Sequence, residues 1–193
     1  MLKKTTYLII LFVTIFGFSQ EQTKPVPAFD FLKKYINTRD LVLSQNQDEV
    51  YFTIQNTNEE VSVIAFSKME NKKWTEPKLI NFTRKFRDIE PFLSSDGLKL
   101  YFSSNRPLHD SISKPKDYDI WYVERTNLKS DWSTPKNLGS PVNTSNNEFY
   151  PSLAKNGNLY FTSDSSKSLE KDDIFFSKWQ NNTYSEPTTL GLN

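Results

Sequence analysis

"DIEPFLSSDGLKLYFSSNRP", Asp88 to Pro107, returns about sixty residues later as "EFYPSLAKNGNLYFTSD", Glu148 to Asp164. Each copy holds a proline in a short strand-like run, then a turn pair, then an aromatic run. The pairs are Asp96-Gly97 and Asn156-Gly157, the dipeptides that accept the positive φ a two-residue hairpin demands. "EVYFTIQN" from Glu49 is an earlier and weaker copy of the aromatic run.

Reading outward, each unit continues in the same way. "DIWYVERT" from Asp119 is matched by "DIFFSKWQ" from Asp173 and loosely by "VSVIAFSK" from Val61. Each unit then closes on an aromatic, two polar residues and a proline: Trp74 to Pro77, Trp132 to Pro135, Tyr184 to Pro187. Trp74 and Trp132 are 58 residues apart, Trp132 and Tyr184 are 52 apart. A period near fifty suits a unit of four short antiparallel strands. The expectation is an all-β chain, with a two-residue hairpin joining the first two strands of a unit and a brief fourth strand near "PKNLG" at the outer edge, where proline is tolerated. "FDFLKKYI", Phe29 to Ile36, reads as either a helix or an entry strand.

The order P-x-x-S-x-D-G-x-x-L-Y-F-x-S-x-R followed by D-I-W, Pro91 to Trp121, resembles the TolB-type propeller repeat, a WD-like repeat of exported bacterial proteins. The likeness covers about residues 42–193, strongest in the second unit and weakest in the first. It implies β-propeller blades of four antiparallel strands around a channel, at about 42–82, 86–142 and 146–193. Three blades do not close a ring of the usual four to eight, so an incomplete propeller is expected, either a fragment of a longer one or a ring completed by association. The resemblance carries no activity with it, because function belongs to sites placed on a fold.

The N-terminus reads as a separate device. Lys3 and Lys4 precede an apolar run from Tyr7 to Phe18, too short to span a bilayer, and Gly17 and Ser19 offer small residues for cleavage before Gln20. Residues 1–19 are therefore expected to be a signal peptide and 20–41 a lead-in segment. The expected address is the periplasm, the outer envelope or the medium, with the membrane touched only through the signal. The chain has no cysteine, which removes lipoprotein anchoring, disulfides and thiolate metal sites. Without Lys3 and Lys4, 22 basic residues face 23 acidic ones, a net charge of −1 that argues against nucleic acid as a partner.

Strand alternation sorts the loops. Hairpin turns share one end. The long connections Asn105–Asp119 and Asp164–Asp173 and the links between units share the other, where a rigid scaffold presents binding residues. A residue that recurs in every unit is expected to hold the unit together: Asp119 and Asp173 as acceptors at a strand start, Asp96, Gly97, Asn156 and Gly157 in the hairpins, Pro77, Pro135 and Pro187, and Trp74, Trp132 and Tyr184 as wedges between units. Arg84, Arg87, Arg106 and His109 lack counterparts in the third unit and form the candidate site for an anionic or glycan ligand. The competing reading pairs Arg106 with Asp117 or Asp119 within its own loop.

Catalysis has little to build on. His109 is the single histidine, no G-x-S-x-G elbow surrounds a serine, and the acid pairs Asp117/Asp119 and Asp172/Asp173 have no third partner. No cofactor or metal is expected. The reading is a non-catalytic exported module whose loops meet an envelope protein, peptidoglycan or carbohydrate. Its rival is the N-terminal propeller of a larger hydrolase or lyase whose chemistry lies beyond Asn193.

Overall fold

The computed structural model describes residues 28–83, 85–109, 111, 114–164 and 172–190. The expected signal peptide, residues 20–27 of the lead-in, Arg84 and the middle of the Asp164–Asp173 connection lie outside the described residues.

All strand pairing is antiparallel. In sheet 1, β1 (Asn37–Leu43), β2 (Glu49–Gln55) and β3 (Ser62–Glu70) pair in order, and β3 also receives the two-residue strands β4 (Lys73–Trp74) and β5 (Lys78–Leu79). Sheet 2 runs β6 (Asp88–Leu93), β7 (Lys99–Ser104), β8 (Asp119–Glu124), β9 (Lys136–Asn137). Sheet 3 repeats it with β10 (Glu148–Leu153), β11 (Leu159–Ser163), β12 (Asp173–Ser177) and β15 (Thr188–Thr189), while β13 (Trp179–Gln180) and β14 (Thr183–Tyr184) form a separate hairpin. The "FDFLKKYI" stretch becomes a single 3-10 turn, Asp30–Lys34, and strand β1 begins at Asn37. Phe31 and Tyr35 set their rings against Phe52, so this turn covers a face of sheet 1.

Why the middle strands read as continuous apolar runs is clear from their two faces. Along β7, Leu100 and Phe102 join Tyr51, Ile64, Leu93, Trp121 and Val123 in a core between sheets 1 and 2. Tyr101, between them in sequence, points the other way and joins Ile120, Val142, Leu159, Phe161 and Phe175 between sheets 2 and 3. Alternation is hidden because both faces are covered. Each fully buried side chain of this size contributes about 1.5–3 kcal/mol. Apolar burial therefore holds the seams shut, and polar residues at their ends decide what a seam admits. On the far side of sheet 3, Tyr160, Ile174 and Phe176 repeat Tyr101, Ile120 and Tyr122, but Ile174 is 45% exposed where Ile120 is fully buried.

The closing motif of each unit has a physical cause. Thr75, Ser133 and Ser185 each follow the closing aromatic residue, and each hydroxyl accepts a hydrogen bond from the backbone N–H of Lys68, Glu124 or Lys178, at 3.1, 3.1 and 3.0 Å. Their own N–H groups donate back to the same residues' carbonyls. The chain is thus fastened to the third strand just before Pro77, Pro135 or Pro187 sets up the short outer strand. Trp132 meets Tyr51 of sheet 1 edge-on at 6.1 Å, Tyr184 packs into the core shared with sheet 2, and Trp74 meets Phe31 edge-on at 6.4 Å.

The hairpins differ from the two-residue form expected of them. Ser94 and Ala154 open five-residue loops whose Gly97 and Gly157 N–H groups return to the Ser94 and Ala154 carbonyls. Only the glycines carry positive φ, +71° and +85°, while Asp96 and Asn156 do not. The acidic or amide side chain instead accepts from the following backbone: Asp96 Oδ1 from Leu98 N at 2.9 Å, Asn156 Oδ1 from Asn158 N at 3.1 Å. Sheet 1 makes the same turn with Gln47 at φ 58°, which is why its copy of the motif is faint.

Candidate functional site

At the hairpin end, sheets 2 and 3 part to leave a cleft of about 380 Å³. Its floor is apolar, from Leu138, Val142 and Leu153, and its walls are Tyr101, Tyr122, Tyr184 and Trp179, with Lys99 at the edge. The β13–β14 hairpin builds one wall. Asn181 and Asn182 take the two positive φ values of a tight turn, 52° and 59°, which places Trp179 directly opposite Tyr184, their rings edge to face at 4.8 Å. Gly157 seats the indole, since a Cβ there would lie 3.1 Å from Trp179 Cδ1. The Tyr184 hydroxyl donates to the Gly157 carbonyl at 3.3 Å, and Trp179 remains 43% exposed. Lys99 Nζ lies 5.3 Å from the centre of the Tyr122 ring. Burial raises the Tyr101 and Tyr184 phenols, so both stay protonated, and their hydroxyls are hydrogen-bonded to each other.

At the matching place between sheets 1 and 2, the chemistry is ionic. Arg125 occupies the repeat position of Trp179, and Glu49 that of Lys99. Arg125 grips Glu49 with two bonds, 2.7 and 3.1 Å, and donates to the Gly97 carbonyl at 2.8 Å; its guanidinium lies 4.5 Å above Trp132. Lys68 adds a second cation 2.7 Å from Glu49. Burial pushes the Glu49 carboxyl upward, but these two partners outweigh it and hold it below the usual range. The cleft above, about 340 Å³, is lined by charged side chains that include this group.

A third constellation joins all three sheets. β1, β6 and β10 each carry a bulge, with Asp40, Glu90 and Tyr150 at positive φ of 56°, 58° and 52°. Arg39 Nε donates to Asp40 at 2.8 Å, its Nη2 donates to the Tyr150 hydroxyl, and it stands 3.5 Å from Glu90. Glu90 accepts from Tyr150 N at 2.7 Å and the Ser103 hydroxyl at 2.9 Å, yet burial still raises its carboxyl to about 7.

Of the four residues expected to form a ligand patch, the structure describes Arg87, Arg106 and His109. Arg106 is buried, pairing with Asp88 at 2.6 Å beneath Phe82, Phe102 and Trp121, so its charge is already spent. Its partner is Asp88 rather than Asp117 or Asp119, because Lys116 takes those two, at 3.2 and 2.6 Å. Arg87 lies over the Tyr118 ring at 5.8 Å, and His109 is exposed in its loop. Asp173 accepts from Ile174 N at 2.8 Å, but Asp119 accepts from the Asn137 amide instead of a backbone N–H. No group of three or more His, Cys, Asp or Glu suited to a metal ion occurs among the described residues. Trp179 and Lys99 were missed by reading only loop cations. The same unit-by-unit comparison at the strand ends, Arg125 against Trp179 and Glu49 against Lys99, carries the signal.

Comparison with protein-family models and with curated protein sequences gives no match. Among solved structures, the chain is similar to a protein assigned as TolB from Agrobacterium tumefaciens, with a TM-score of 0.56 and 13% identity over 81% of this chain and 50% of that one. It is also similar to Kuenenia stuttgartiensis hydrazine synthase, with a TM-score of 0.52 and 12% identity over 83% of this chain and 27% of that one. At these identities the likeness is one of fold. The sheets belong to a TolB-like β-propeller fold, and the chain spans half the length of the TolB relative.

Proposed function

We propose that this chain is a non-catalytic binding module of an exported β-propeller, its three sheets serving as blades, and that it holds an envelope glycan, peptidoglycan or protein in the cleft between sheets 2 and 3. The carrying observation is that cleft: four aromatic side chains and an apolar floor stand open at a seam whose counterpart cleft is lined by an ion cluster. Concave sites with apolar walls and a few directed polar groups are where ligands bind. Lys99 is the one charged residue among those lining it, which supports binding rather than acid–base chemistry there. The apolar far side of sheet 3 supports a further sheet packed against it in the assembled ring, as Tyr101, Ile120 and Tyr122 are packed by sheet 3. Export rests on the leader at residues 1–19, and cell fractionation tests it.

Binding is tested by co-sedimentation of the full chain with isolated cell-wall sacculi and with envelope membranes, wild type against Trp179→Ala and Lys99→Ala. Retention that the two substitutions weaken is the expected result. Retention indifferent to both, or none, removes the cleft as the binding place.

A further inference from the structure

The geometry points to an N-acetylated sugar ring as the group the cleft takes, stacked on Trp179 with its acetamido methyl on the floor of Leu138, Val142 and Leu153. This inference rests on the cleft being the binding site and names its ligand class. A pyranose has one face of C–H bonds and a rim of hydroxyls. It needs a flat apolar surface together with several polar groups spread around it, and charge is not required. The cleft supplies that combination. Trp179 is held rigidly against Tyr184 and Gly157 while 43% of its surface stays open. Three phenols, of Tyr101, Tyr122 and Tyr184, line the cavity; the Tyr101 and Tyr184 hydroxyls hydrogen-bond each other and Tyr184 donates to the Gly157 carbonyl, so the Tyr122 hydroxyl and Lys99 supply the donors a ligand can use. Lys99 forms a long ion pair of 3.9 Å with Oε2 of Glu124, whose other carboxylate oxygen is held by Lys136, and its side chain is 46% exposed.

The floor narrows the class. A plain hexose would leave Leu138, Val142 and Leu153 facing hydroxyls, whereas an acetamido group presents a methyl to them and its amide to the phenols. The opposing cleft, floored by the Arg125–Glu49–Lys68 ions, offers no flat apolar surface of this kind.

The test titrates the full chain with tri-N-acetylchitotriose and with cellotriose, following tryptophan fluorescence and heat. Chitotriose should bind saturably. Cellotriose should bind at least roughly fourfold more weakly, the worth of one buried methyl. Trp179→Ala should weaken chitotriose about tenfold or more, with an unchanged melting temperature. Lys99→Ala, a half-exposed side chain, gives the same readout should the tryptophan variant lose stability. Lys129→Ala, in the other cleft, should change nothing. The inference falls if chitotriose does not bind, if it binds wild type and Trp179→Ala alike, or if cellotriose matches it. Sacculi retained through Trp179 by a protein that ignores chitotriose would overturn the ligand class and leave the binding cleft standing. Loss of both removes both.

Discussion

The seam between sheets 1 and 2 and the seam between sheets 2 and 3 are built on one plan and finished differently. Tyr51 and Tyr101 occupy the same repeat position, as do Trp132 and Tyr184, so the aromatic wedge belongs to the scaffold. The residue that reaches over the hairpin glycine is what changes. In the first seam Arg125 bonds the Gly97 carbonyl and neutralises Glu49; in the second, Trp179 lies on Gly157 and Lys99 replaces the acid. Glu49 is held low by two cations, whereas burial raises Glu90, where the three sheets meet, and Glu148, between sheets 2 and 3, to about 7, Thr144 only partly compensating the latter. A repeat can thus keep its packing and exchange an ionic latch for an open aromatic site by altering three residues, with Lys99, Glu124 and Trp179 in the places of Glu49, Lys68 and Arg125.

The sharpest way to break this comparison is Arg125→Met. It leaves Glu49 with Lys68 and the Tyr51 hydroxyl beside it and should cost about 3 kcal/mol in urea denaturation, the lower end for breaking a buried pair. Replacing Glu49 by Met as well should recover part of the loss. A cost below about 1 kcal/mol would mean the latch is no latch.

Next in size is the pH dependence. Glu90 and Glu148 bind a proton in the folded state that the unfolded chain has released, so between about pH 4.5 and 7 stability should fall as pH rises, up to about 3 kcal/mol for each group. Glu49 acts in the opposite sense. Its pairing stabilises above the ordinary carboxylate value and is lost as pH drops below it. Glu90→Gln and Glu148→Gln should each flatten the upper limb of the profile and leave the acid limb in place, as followed by melting temperature across pH.

Gly157→Ala sets a side chain at positive φ against the indole and should cost about 1–2 kcal/mol while raising the solvent exposure of Trp179, read by fluorescence quenching. Smallest is Gln47→Gly. It relieves the same backbone strain in the first hairpin and should stabilise by about 1 kcal/mol without touching either cleft.

Much of the architecture was legible because repetition multiplies weak signals. "LYF" beside a Gly turn, twice, identifies paired strands that a single copy would not. What stayed hidden has particular causes. Asp96-Gly97 fits both a two-residue and a five-residue hairpin, and in both copies the longer loop closes through backbone bonds from Gly97 to Ser94 and from Gly157 to Ala154, which the dipeptide does not announce. Arg106 looked like a loop cation because its partner, Asp88, lies 18 residues back on a neighbouring strand. The β13–β14 hairpin has only two residues per strand, too few for any period, and without it Trp179 has no evident neighbour. The bulges that align Asp40, Glu90 and Tyr150 are marked only by Pro91 and Pro151 after the second and third, and the first, at Asp40, has no such mark.

The most direct measurement is an amide and indole NMR titration of the full chain with tri-N-acetylchitotriose. The account predicts saturable shifts of the Trp179 indole and the Gly157 amide, with the Gly97 amide and the Arg125 side chain unmoved. Equal movement at both hairpin glycines, or stillness at Trp179 while other residues respond, would contradict it.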